Sequence, residues 1–172
     1  KTRGLYDEIW MVPQQEYHNK DYFEISYGCK AIVTPFIWSP KFINNEVKKL
    51  KDQIPNFEIL FSNKKFEKWR VVSMEPNTSI LKNIVPILHS MELAYGQEKD
   101  LIKTFNITNA NEFLKNQNPI LIEIAKSLQI NKDKKLIFDK RWSVVKLLGL
   151  FTDMVISHQW GNPLNYAYLD VA

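Results

Sequence analysis

Any chemistry in this chain would have to come from three histidines, one cysteine and scattered carboxylates. His18, His89 and His158 lie far apart and lack the HExxH or i, i+4 companions that hold zinc, so neither a metal site nor a cofactor is expected. Cys29, beside Gly28 in an apolar stretch, shows no paired base of the kind that activates a thiolate. Asp133-Lys134-Lys135 superficially resembles an acid–lysine nuclease pattern, but it lies in a polar run where no buried strand would gather Mg²⁺. The five glycines, Gly4, Gly28, Gly96, Gly149 and Gly161, are isolated like turn and cap residues and form no phosphate-cradling loop.

What does stand out is cation interleaved with aromatic. Lys64, Lys65, Lys68, Trp69 and Arg70 form one cluster; Lys132, Lys134, Lys135, Lys140, Arg141 and Trp142 form a second. Lysine and arginine neutralise phosphates, and planar rings stack on unpaired bases, so this combination suits RNA. The ordinary alternative is a solvated lysine-rich surface with both tryptophans turned inward.

The elements that would position these groups follow from periodicity. Leu5 to Val12 reads as a short strand stopped by Pro13, followed by a polar loop. Tyr22 to Tyr27 alternates aromatic and polar residues like a strand, and Ala31 to Trp38 like another, with Pro35 at an edge or bulge. Ser39-Pro40 opens a helix carrying Phe42, Ile43, Val47, Leu50 and Ile54. Phe57 to Phe61 reads as the clearest strand, with Lys68 to Met74 as its hairpin partner or another strand.

Beyond Met74 the pattern turns helical. A helix from Asn77 or Thr78 to Gly96 should be kinked or divided by Pro86. Leu101 to Ile107 is a short apolar element, Thr108 to Leu114 a small helix, Pro119 to Leu128 another, and Leu136 to Phe138 a short apolar run. The longest readable segment is Asp139 to Pro163, expected as a central core helix over Ser143 to Gln159 with Asp139 as N-cap and Gly161-Asn162-Pro163 as terminator. Gly149 inside it implies a close crossing by another element, because a mid-helix glycine costs about 1 kcal/mol relative to alanine. Lys146 and Asp153 argue against a membrane span. Pro163 to Ala172 reads as a last strand or docking tail.

Composition sets the limits. At 172 residues, 45% hydrophobic and 24% charged, the chain can fill a core, and one domain is expected, with a subdivision into 1–75 and 76–172 as the alternative. The net charge of +4 permits a polyanionic partner without requiring one. A single cysteine excludes an intrachain disulfide and suits a reducing intracellular or organellar compartment. Tyr6 to Lys20, YDEIWMVPQQEYHNK, resembles the strand, proline and loop of nicotinate-nucleotide adenylyltransferases, but without the glycine-rich, histidine-containing motif that family carries.

The expected fold is α+β: a small mixed sheet with a covering helix in the N-terminal half, and a helical C-terminal half around one long core helix. The expected function is a non-catalytic accessory or structural subunit docking on a larger assembly, plausibly ribonucleoprotein, through a basic aromatic surface, with protein subunits and RNA as partners. One alternative is an enzyme acting on nucleotides or nucleic acid, its site assembled from scattered polar residues including His18, Lys20, Glu58 and His89. A secretion or envelope subunit is the other.

Overall fold

Strand direction, more than strand content, organises this α+β protein. The computed structural model describes residues 4–59, 67–75, 82–110, 119–160 and 166–171, which divide into two compact units, 1–39 with 163–166 and 40–162 with 167–172.

The first unit is a strand–helix–strand crossover. Glu8–Met11 (β1) runs into a 3-10 turn at Pro13–Gln15, then Glu16–Tyr27 (α1), and returns as Lys30–Val33 (β2), paired parallel to β1. Tyr22 to Tyr27, expected as a strand, therefore completes a helix, and the expected loop before it supplies the helix's first turns. Six alternating residues fit either state; the stop decides. Gly28 takes the left-handed conformation at φ 70° and donates its N–H to Glu24 O at 2.9 Å, a C-cap that residues with a Cβ adopt poorly. The strand expected to run to Trp38 ends at Val33, two residues before Pro35.

The second unit holds a four-stranded, all-parallel sheet rather than a mixed one. Its strands are Trp69–Ser73 (β3), Ile102–Ile107 (β4), Leu136–Phe138 (β5) and Met154–Val155 (β6), in the spatial order β5-β4-β3-β6. Three of the four follow residue 100, so the helical C-terminal half expected from sequence is where most of this sheet lies. Its helices are Lys41–Lys51 (α2), Val85–Gln97 (α3), Pro119–Ser127 (α4), Gln129–Lys132 (α5) and Val144–Phe151 (α6), and Tyr166–Val171 (α7) replaces the expected terminal strand. Lys68 to Met74 is thus a strand without a hairpin partner. Phe57 to Ile59 have no regular structure, while the rest of that expected strand, the Asn77 start and most of the Thr108 to Leu114 helix lie outside the described residues.

Handedness explains the layering. From β3 through α3 to β4, and through α4 and α5 to β5, the chain steps steadily to one side, and right-handed crossovers put those helices on one face. Ile87, Leu88 and Met91 of α3, Leu121 and Ala125 of α4 and Ile130 of α5 accordingly share one core with Val71, Phe105, Ile107 and Leu136 of the strands. Each large apolar side chain so buried contributes roughly 1.5–3 kcal/mol. From β5 the chain reverses past β3 to place β6, so the same rule puts α6 on the opposite face. There Val145 of α6 is buried in a separate cluster with Leu50 of α2 and Phe57. Pro86 does not kink a longer helix; it occupies the first turn of α3, where its missing N–H costs nothing.

The long core helix does not exist. Ser143, not Asp139, caps α6 by accepting Lys146 N–H at 3.3 Å, and the helix stops at Phe151. Thr152 is extended, at φ −127° and ψ 131°, and its Oγ1 donates to Leu147 O at 2.8 Å. Asp153 N–H then bonds Arg70 O at 2.9 Å, and the chain continues as β6 beside β3. The β-branched Val155 and Ile156 read as helix by spacing, but backbone pairing to β3 outweighs that weak preference.

The close crossing expected at Gly149 is present. A Cβ there would lie 2.5 Å from two ring carbons of Phe57 and 3.1 Å from the carbonyl oxygen of Glu58. Gly149→Ala should therefore destabilise the protein by about 1–3 kcal/mol, although alanine is the better helix former. Urea unfolding measures this, and Phe57→Leu in the same chain should return part of the loss, because the two sites then couple.

Candidate functional site

Parallel strands give the second unit two chemically different edges. At the amino edge the polar groups are spent on one another. Arg70 Nε and Nη2 donate to Asp153 Oδ2 and Oδ1 at 2.9 and 2.6 Å, its backbone N donates to Oδ2 at 2.8 Å, and Nη1 donates to Leu150 O at 2.6 Å. The Asp153 side chain is only 3% exposed. Burial pushes its carboxyl up, yet the Arg70 hydrogen bonds and charge outweigh that and hold it below the usual carboxylate range. Arg70, a candidate nucleic-acid contact by sequence, is instead the clamp that holds β6 on β3. Trp69 packs against the main core.

Lys132, Lys134 and Lys135 also lie at this edge, since they precede β5. Lys135 Nζ sits 4.8 Å from the Tyr95 ring centroid and donates to Lys99 O at 2.8 Å. Tyr95 O–H donates to Asp133 Oδ2 at 2.7 Å, which pushes the phenol up to about 12 and pulls the Asp133 carboxyl down. Lys132 and Lys134 are exposed, and Lys134 has a positive φ of 57° in the turn into β5.

Lys140 and Arg141 follow β5 and lie at the carboxyl edge. The second basic cluster is therefore split between opposite ends of the sheet, on either side of a three-residue strand. Lys140 Nζ stands 4.6 Å from the Trp142 ring centroid, whose Nε1–H donates to Asp139 Oδ2 at 2.7 Å; Arg141 is exposed. Lys68 is exposed just before β3, and Lys64 and Lys65 lie outside the described residues.

The groups suspected for an assembled catalytic site are divided between the two units. His18 stacks edge-on against Tyr17 and Lys20 pairs with Glu16 at 3.9 Å, all on α1 of the first unit. Glu58 lies beside Gly149 in the second unit, and His89 is exposed on α3, which covers the other sheet face. His158 is not in a helix's last turn, since it lies beyond β6.

The carboxyl edge holds what sequence reasoning missed. The order β5-β4-β3-β6 reverses between β3 and β6, and ligands of open parallel sheets bind outside the strand ends at such a reversal. Glu75, two residues past β3 and 3% exposed, bridges it. Its Oε1 accepts Ser157 Oγ–H at 2.5 Å and His158 N–H at 2.9 Å. On the other side Thr108 N and Oγ1 both donate to Ser73 O, at 3.0 and 3.2 Å, and Asn109 Nδ2 donates to Met74 O at 3.1 Å. The ends of three strands are thus laced together.

Within this lacing several buried polar atoms have no hydrogen-bond partner: Ser73 Oγ, Asn106 Oδ1, His158 Nδ1, and both Nε2 and Oε1 of Gln159. Ser73 is 0% exposed and Asn106 8%. Each orphan costs about 1–3 kcal/mol, and they lie on the last residue of β3, the penultimate residue of β4 and just past β6. A sequence signal for them exists. Val-Val-Ser-Met-Glu, Phe-Asn-Ile-Thr-Asn and Met-Val-Ile-Ser-His-Gln each pass from apolar strand to hydroxyl and then polar side chains, but that pattern has meaning only once the three are known to run parallel. α3 also points its N-terminus to this edge, because its crossover runs antiparallel to the strands, and Val85 N–H donates to Asn83 Oδ1 at 3.1 Å in its first turn.

The Arg70–Asp153 clamp makes a pH prediction. The folded pKa of Asp153 lies below its unfolded value of about 3.9, so its contribution is full above that value and is lost as pH falls through the folded pKa. Asp153→Asn should lower stability by about 2–4 kcal/mol at neutral pH. The gap from the parent, measured by urea titration, should narrow progressively below about pH 4.

Among the described residues no helix is long and apolar enough to cross a membrane, and no cluster of three metal-ligating side chains occurs. No curated protein and no solved structure matches the chain detectably. A family model described as "Protein of unknown function (DUF2827)" covers residues 2–172, nearly the whole length over which the parallel strands and their polar ends are laid out, and the chain belongs to that family.

Proposed function

We propose that the chain supplies the ligand-binding part of an enzyme acting on a small phosphorylated, hydroxyl-bearing molecule, the class that contains nucleotides and sugar phosphates. The observation that carries this reading is the buried Glu75 carboxylate joining β3 to the exit of β6 at the strand reversal, amid buried polar side chains that the protein itself leaves unpartnered. A docking surface needs no such arrangement. Glu75 acts as a positioning residue, fixing the backbone from which His158 and Gln159 project.

Positive charge for a phosphate is at the same edge. The N-terminal end of α3 carries partial positive charge, and Lys140 and Arg141 follow β5 on that side. The turn leaving β3 has no glycine motif, so backbone cradling of a pyrophosphate in the dinucleotide manner is not part of the reading. The role expected from composition, docking on a ribonucleoprotein through two basic aromatic clusters, loses support because Arg70 is consumed by Asp153, Lys135 is held over Tyr95, and the second cluster divides between opposite edges.

Calorimetric titration with nucleoside diphosphates and sugar phosphates tests this. At least one should bind and raise the melting temperature; about 2.7 kcal/mol of stabilisation is expected at a hundredfold excess over Kd. Glu75→Ala and the pair Lys140→Gln, Arg141→Gln should each weaken binding about tenfold, while Lys132→Gln with Lys134→Gln should leave it unchanged. Salt-sensitive RNA binding that disappears with Lys132 and Lys134, with no small-molecule binding, would return the docking role to first place.

A further inference from the structure

We propose that the ligand of this edge carries a nucleobase and that Gln159 reads its hydrogen-bonding edge; this rests on the small-molecule reading above and narrows it from phosphorylated compounds in general to nucleotides. Gln159 is four residues past Val155, immediately after the segment that Glu75 fixes through Ser157 and His158. Its amide has both ends buried and both unpartnered. A carboxamide presents one donor and one acceptor side by side in one plane. The complement is a planar group with an acceptor beside a donor, and the bases of nucleotides offer that pair on their edges, as when glutamine or asparagine takes adenine in a bidentate contact.

Three further features of the segment fit a base better than a sugar or a bare phosphate. The Nδ1 of His158, also buried and unpartnered, places a second ring-edge contact one residue away. Trp160, where the chain bends, is 70% exposed and offers an indole face of the kind on which bases stack. The segment from Ser157 to Trp160 contains no Asp, Glu, Lys or Arg, so it suits the uncharged end of a nucleotide. Phosphates then fall to the positive end of α3 and to Lys140 and Arg141, on the other parts of the same edge.

The variant Gln159→Met separates recognition from folding. It keeps the side chain's length while removing two orphaned polar atoms, so its melting temperature should equal or exceed that of the parent. Calorimetric titration would compare UDP, ADP, GDP and CDP with ribose 5-phosphate on both proteins, and Gln159→Glu, which turns the donor into an acceptor, serves as a second variant. The expected result is that one nucleotide binds the parent at least about tenfold more tightly than ribose 5-phosphate, in the range that a bidentate contact confers. Both variants should lose that preference while binding ribose 5-phosphate as the parent does. Equal affinity for all five compounds, or a base preference that survives both variants, overturns the base contact and leaves the phosphate site standing. Failure of all five to bind overturns both.

Discussion

The placement of β6 against β3 is the contact on which the second unit depends. Without it the sheet would be three strands stepping one way, with helices on a single face and no reversal at which a site could form. Two residues of strand pairing are too little to hold it, since β6 comprises only Met154 and Val155. The Arg70–Asp153 clamp supplies the rest: three arginine donors, two backbone bonds and a nearly inaccessible carboxylate fix the strand's entry, and Glu75 fixes its exit through Ser157 and His158. Both partners of the clamp must be present, because either charge alone at this depth would be destabilising.

From this follows a division of labour between the two ends of the sheet. At the amino edge Arg70, Asp153, Tyr95, Asp133, Lys99 and Lys135 satisfy one another, and their charges serve stability. At the carboxyl edge the backbone is equally well bonded, but side-chain atoms of Ser73, Asn106, His158 and Gln159 are not. Proteins of ordinary stability, about 5–15 kcal/mol, do not collect several such groups on adjacent strand ends without some return. The geometry offers recognition of a polar ligand as that return. It also explains why counting cations misleads here: strand polarity, which no count of lysines contains, assigns Lys132 and Lys140 to opposite ends.

The sequence by itself determined the local elements whose start and stop are chemical. Pro119 opens a helix, Glu8 to Met11 is a strand that stops before Pro13, a helix follows Ser39-Pro40, although it starts at Lys41 with Pro40 and not Ser39 at the cap position, and Gly149 marks a close crossing, in this case by the ring of Phe57. Each of these depends on one residue's backbone or steric properties. It also established the α+β mixture, because alternating and helical periods both occur.

Tertiary structure alone decided the identity of Leu101 to Ile107 and Met154 to Val155 as strands, the parallel sense of the sheet and therefore the site. Short apolar runs fit helix and strand alike, and the backbone state of Met154 to Ile156 is chosen by a partner, β3, some eighty residues earlier. The polar residues that matter, Glu75, Ser157, His158 and Gln159, are ordinary in sequence. They become a group only because parallel pairing sets the carboxyl ends of β3 and β6 side by side, a long-range consequence of strand order that no local pattern records.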